Sequence, residues 1–124
     1  MPEDTMTSTF APLAMPRVRV ARGPVAPTLW PLPACVQPGE LEIRWDAPPP
    51  GRGEDRRYEV RLLDLRTQEV VACAEVLEVS WVTPELAPGG VYEVSVRTRE
   101  TMRDGGTSSS ARAERRFRTG YRRE

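Results

Sequence analysis

Few residues in this chain are able to do chemistry, and their types narrow the choice quickly. The 124 residues contain two cysteines, Cys35 and Cys73, and no histidine. The missing histidine removes the commonest general base and the commonest metal ligand. Two thiols alone do not complete the ligand set of a zinc site. A Ser or Cys nucleophile would have to use Asp or Glu as its base. The carboxylates Glu40, Glu42, Asp46, Glu54, Asp55, Glu59 and Asp64 are spread over alternating positions and turns, the placing of a solvated surface. Asp104-Gly105-Gly106 reads as a cation-binding turn but brings a single carboxylate, too few for calcium. No Gly-rich loop leads from a strand into a helix, so there is no phosphate cradle. The expectation is a chain with no catalytic residue, no metal site and no cofactor, and so not an enzyme.

Charge points the same way. The 18 basic residues balance 18 acidic ones, and every basic residue is Arg. A neutral chain has no global field drawing it to nucleic acid or to a membrane, and no apolar run reaches membrane-spanning length. Using Arg throughout fits GC-rich coding; the alternative is Arg selected for bidentate contacts. One charge concentration stands out, at Arg112, Arg115, Arg116, Arg118, Arg122 and Arg123. It reads as an edge strand guarded by charge. The other reading is a strip for a phosphate backbone or an acidic protein face, though Tyr121 is nearly the only aromatic residue among these arginines. The chain opens Met1-Pro2-Glu3-Asp4, without the basic and apolar regions of a secretory signal. The expected location is the cytoplasm, or a virion or extracellular surface reached without a signal peptide.

The elements that must carry these residues read as strands. Leu41, Ile43 and Trp45 alternate with Glu42, Arg44 and Asp46 before the break at Pro48-Pro49-Pro50-Gly51. Tyr58, Val60 and Leu62 alternate with Glu59 and Arg61. Tyr92, Val94, Val96 and Thr98 fall on one face of a third segment, with Glu93, Ser95, Arg97 and Arg99 on the other. A period of two is what a strand with one buried face requires. Residues 69–76 and 79–82 read as further strands, the first near a sheet edge and the second with Trp81 inward. Residues 64–68 read as a turn and 98–109 as a long polar loop. In the last strand Ala111, Ala113 and Phe117 face one way, with Arg112, Glu114, Arg116 and Arg118 opposite. Leu86, Pro88, Gly89, Gly90 and Tyr92 form the sequence of a tyrosine corner, in which the ring enters the core and the hydroxyl bonds upstream backbone.

Taken in order, these motifs make the chain resemble a fibronectin type III domain. L-E-I-R-W-D-A-P-P-P stands for the second strand, Y-E-V-R-L for the third, and L-A-P-G-G-V-Y-E-V-S-V for the corner and the sixth. The resemblance covers residues 41–120, roughly two-thirds of the chain. It implies an all-β, seven-stranded antiparallel immunoglobulin-like sandwich over residues 36–120. A proline-rich N-terminal arm over 1–35 precedes it and a basic tail over 121–124 follows. The expected core is Trp45, Tyr58, Leu86, Tyr92, Val94 and Val96. The family generally carries no disulfide, so two reduced, buried thiols are expected; the other reading is a disulfide tying the N-terminal segment to the sandwich. The integrin-binding R-G-D of some members is absent, since the chain has Arg103-Asp104-Gly105 and Arg52-Gly53-Glu54 instead. The receptor motif W-S-x-W-S is absent too.

The arm is expected to supply the function. Pro24, Pro27, Pro31, Pro33 and Pro38 forbid a helix or a central strand there. An edge strand is expected near residues 34–37, and Val18 and Val20 have the spacing of a short strand. Leu29 to Leu32 read as a cover over the open end of the sandwich. Phe10, Leu13, Met15, Arg17, Arg19 and Trp30 are the candidate partner contacts, apolar or basic side chains on a segment unable to join a sheet centre. Members of the family occur as decorations on bacteriophage heads and tails. The resemblance therefore implies a structural, protein-binding subunit of an assembly such as a virion, with protein partners. A carbohydrate-associated or spacer module with a glycan partner is the alternative, and nucleic-acid binding through the C-terminal arginines is a further one.

Overall fold

The structure, a computed structural model, describes residues 23–121. Phe10, Leu13, Met15, Arg17, Arg19, Val18 and Val20 lie outside the described residues, as do Arg122 and Arg123. Nine strand segments are present: β1 (Thr28–Leu29), β2 (Cys35–Val36), β3 (Glu42–Asp46), β4 (Asp55–Asp64), β5 (Glu69–Val76), β6 (Ser80–Val82), β7 (Val91–Thr101), β8 (Thr107–Ser109) and β9 (Ala113–Thr119). They form two sheets, a small one ordered β1-β3-β6 and a large one ordered β2-β9-β7-β4-β5, with β8 paired to the far part of β7. The chain is an all-β sandwich.

Alternation places the core between these sheets. Trp45, Tyr58, Leu86, Tyr92, Val94 and Val96 are all 5% exposed or less, joined by Leu29, Ile43, Val60, Leu62 and Phe117. Trp45 meets Tyr58 edge to face, ring centroids 5.5 Å apart. Tyr92 stacks on Phe117 at 5.7 Å. The Trp45 Nε1–H is buried with no hydrogen-bond partner among the described residues. Trp81 is half-buried against the core edge, opposite Ile43.

Several expectations are corrected. The sandwich is not wholly antiparallel, because β2 pairs parallel with β9. The chain from β1 to β2 crosses from the small sheet to the large one without reversing, so it runs beside β9 in the same direction. Residues 98–109 are not one loop: β7 continues to Thr101 and turns back into β8. Residues 29–32 do not merely cover an end. Leu29 is paired with Trp45 in the small sheet and is 2% exposed. β9 is not a bare edge, since β2 covers it at Arg118 and Thr119. Finally, the cysteines are free and exposed, not buried. Cys73 faces outward beside Arg61, and Cys35 lies on β2. Four strand spacings separate β2 from β5, about 19 Å, far beyond disulfide reach.

The corner before β7 is built differently from the tyrosine-corner expectation. The Tyr92 ring folds over Gly90, where a Cβ would sit 2.5 Å from the ring, so only glycine fits. Among the described residues the Tyr92 hydroxyl makes no hydrogen bond to upstream backbone. Thr119 of β9 ties the corner instead. Its hydroxyl donates to the Ala87 carbonyl at 2.6 Å and accepts from the Gly90 N–H at 2.8 Å. Its own N–H donates to the Gly90 carbonyl at 3.0 Å. Thr119 is 3% exposed, so water has little access to replace these bonds. Thr119→Val keeps the shape and removes both hydroxyl bonds. It is expected to lower unfolding free energy by about 1–3 kcal/mol in urea titration, and an unchanged midpoint would show that the corner does not depend on Thr119.

Candidate functional site

Trp30 is the expected partner contact that falls within the described residues. Leu29 points inward opposite Trp45, so the next residue must point outward. Pro27 and Pro31 flank this short stretch and hold it extended. The Trp30 backbone N–H donates to the Arg44 carbonyl at 2.9 Å, and its indole Nε1–H donates to Asp46 Oδ1 at 2.9 Å. The Arg44 guanidinium lies 5.1 Å from the ring centroid and pairs with Glu42 at 3.3 Å. Three outward residues of β3 thus fix the indole, yet Trp30 remains 47% exposed. Val82, 52% exposed and opposite Glu42, extends the same outer face.

Glu100 belongs to a different arrangement, one that sequence reading missed. It lies on β7 with the parity of Tyr92, Val94 and Val96 and is 2% exposed. Its carboxylate accepts from the Gly51 N–H at 3.2 Å, the Gly53 N–H at 3.1 Å and Arg56 at 3.3 Å. Arg56 also donates to the Pro48 and Pro49 carbonyls. A Cβ on Gly51 would collide with the carboxylate and one on Gly53 with the Glu100 Cβ, so the G-R-G spacing lets backbone reach this side chain. Parity on β7 and the two glycines were the signals available for this cage. Its chemistry is structural: Glu100 holds the proline-rich loop between β3 and β4, directly at Gly51 and Gly53 and through Arg56 of β4.

The outer face of the large sheet is a charge lattice. Glu59 accepts from Arg97 at 2.6 Å and from Arg99 at 2.8 Å, and Arg99 also reaches Glu75 at 3.4 Å. Burial alone would raise the Glu59 carboxyl, but hydrogen bonds and charge from Arg97 and Arg99 outweigh it and hold it below its ordinary 4.5. Burial, with Arg61 and Arg97 nearby, lowers Arg112. The expected C-terminal strip is broken up on this face. Arg112 turns onto Ser95 Oγ at 3.2 Å and Arg116 pairs with Glu93 at 3.1 Å. Arg115 shares the inward side with Phe117 and crosses to donate to the Leu29 carbonyl at 3.2 Å, tying one sheet to the other. Arg118 is exposed.

At the corner end a groove of about 740 Å³ runs between β2 and the segment before β7, lined by Cys35, Val36, Pro38, Leu86 and Pro88. Tyr121, 79% exposed, stands at its rim. Among the described residues no three of His, Cys, Asp and Glu converge as a metal site. No described helix is long and apolar enough to cross a membrane.

No protein-family model matches this chain, and no curated protein matches it either. Among solved structures, CopC from Methylosinus trichosporium OB3b is similar, with 18% identity and a TM-score of 0.46 over 79% of this chain and 97% of that one.

Two outcomes follow from the charged groups. Glu100→Ala removes the buried acceptor of Arg56 and two glycine N–H groups, which water reaches only in part, and it is expected to cost about 2–3 kcal/mol of stability in denaturant titration. A loss below 1 kcal/mol would rule out the cage as a structural element. Glu59, with its folded pKa depressed, stabilises the fold above pH 4.5 and loses that contribution as pH falls through the folded value. Glu59→Gln is therefore expected to be less stable than wild type at neutral pH, with the two curves converging on acidification. A gap that stays constant with pH would exclude this linkage.

Proposed function

We propose that this chain is a fibronectin type III-type module with a binding role, a subunit or surface decoration of a larger assembly such as a bacteriophage virion. The sheet order supports the family reading. If β1 with β2, and β8 with β9, each count as one interrupted strand, then β3, β4 and β7 occupy the second, third and sixth places.

The observation that carries the binding role is the fixed, exposed indole of Trp30. An aromatic side chain already held in one rotamer costs little entropy when a partner covers it, which is the property of an interface anchor. Three polar groups drawn into the fold have structural partners. Glu100 holds glycine N–H groups, Glu59 holds two arginines, and Thr119 holds the corner. Protein partners fit this surface, since Arg44, Asp46 and Glu42 supply a polar rim around Trp30 and Val82. The segment holding Phe10, Leu13, Met15, Arg17 and Arg19 would then reach a neighbouring subunit. A virion or other extracellular surface is the location this reading gives. The same indole favours a second reading, a glycan stacked on Trp30 with hydrogen bonds to the carboxylates beside it.

The test uses particles made in the producing host. The chain is expected to co-sediment with them, and Trp30→Ala is expected to lose about 2 kcal/mol of binding, roughly thirtyfold in affinity. Its stability should fall by only about 1 kcal/mol, because the pairs it loses are exposed. Equal incorporation of Trp30→Ala would remove Trp30 as the anchor. A shift in tryptophan emission on adding polysaccharide, absent from Trp30→Ala, would promote the glycan reading instead.

A further inference from the structure

The sheet edges of this sandwich differ sharply in how they are guarded. β1 has two residues between Pro27 and Pro31, β2 has two between Pro33 and Pro38, and β6 has three before Pro84. Short strands and flanking prolines keep an edge from pairing with another chain. β5 has neither protection. It runs for eight residues, E-V-V-A-C-A-E-V, without Pro, Lys or Arg, and it ends the large sheet with β4 on one side only. Val70 is 51% exposed, Val71 45% and, just past the strand, Leu77 59%. Among the described residues, nothing pairs with the free side of this strand.

We propose that β5 joins two copies of this chain, edge to edge and antiparallel about a two-fold axis. The occupant follows from self-complementarity. An axis perpendicular to the sheet keeps inner faces on one side, so residues directly opposed must have numbers with an even sum. Charge and the bulge then select among the registers. Centring on Ala72 sets the bulge at Val71 beside the axis in both copies, where regular pairing breaks, and centring on Glu75 opposes two glutamates. Like charges directly opposed destabilise a strand pair. Centring on Cys73 avoids this but faces exposed Val71 with Glu75.

Centring on Ala74 opposes no two carboxylates and sets apolar against apolar at Val71 and Leu77. It sets Ala72 against Val76, Cys73 against Glu75, and Val71 against Leu77 of the second copy, so that Val71 and Leu77, two of the three exposed apolar side chains, cover each other at both ends of the pair. It also uses the regular part of the strand. The bulge lies at Val71, between the Leu62–Ala72 and Leu63–Val70 pairs, and residues 72–76 beyond it are unbroken.

Sedimentation of the Cys35→Ser chain from micromolar to millimolar concentration tests the pairing, with Cys73 as the remaining thiol. A reversible dimer is expected. A short bismaleimide should then join Cys73 to Cys73 of the second copy, because diagonal positions across a strand pair lie about 7–8 Å apart. Val71→Glu places a carboxylate against Leu77 and diagonal to Glu75, and it is expected to weaken the dimer about tenfold or more and suppress the cross-link. Leu77→Glu should do the same, and both positions are exposed, so either variant keeps the monomer fold. A chain that stays monomeric throughout overturns the proposal. So does a dimer whose strength and Cys73 cross-link are unchanged in both variants.

Discussion

The inward face of β7 is the constraint on which the rest of this molecule depends. Tyr92, Val94, Val96, Thr98 and Glu100 lie on that face, each 5% exposed or less. The strand has β4 along one side and β8 and β9 along the other. Its middle is apolar and excludes water, so the polar residues toward its end must find protein partners. Thr98 donates to the Val25 carbonyl at 2.8 Å, and Glu100 gathers the proline-rich loop. At the opposite end Tyr92 lies under the corner that Thr119 holds. A single strand thus fixes the core, the loop at one end and the corner at the other.

Period-two alternation made β3, β4 and β7 legible, because each alternates apolar residues on its buried face with polar ones on the other. β5 was visible as an edge strand through its run of Val and Ala. What stayed hidden has identifiable causes. β1 has only two residues, too few for any period, and its prolines suggested an irregular arm, yet Leu29 fills the core beside Trp45. Thr119 and Glu100 act on partners 29 to 49 residues away, and no local pattern announces such bonds. The Cys73 position was readable from parity with Arg61, but the general tendency of free cysteine to be buried pointed the wrong way. Arg115 shares Phe117's parity, so its role as a cross-sheet tie was hidden by treating the arginines as one outward strip.

The two proposed surfaces use different physics on different parts of the sandwich. Trp30 belongs to the small sheet and works through an indole held by Asp46 and Arg44. β5 closes the far end of the large sheet and works through unpaired backbone with apolar flanks. Contacts on one leave the other free, so a pair of copies would still present two Trp30 faces. Multiplying a modest contact in this way raises avidity without any new chemistry, which suits a subunit that repeats across an assembly.

Hydrogen exchange measured amide by amide by NMR tests the central claim about β7 most directly. Amides of residues 92–98 that bond to β4 or β9 should exchange only through global unfolding, and so be the slowest in the chain. Amides of the small sheet should open first. Faster exchange in β7 than in β3 and β6 would contradict the claim that the sandwich is organised around this strand.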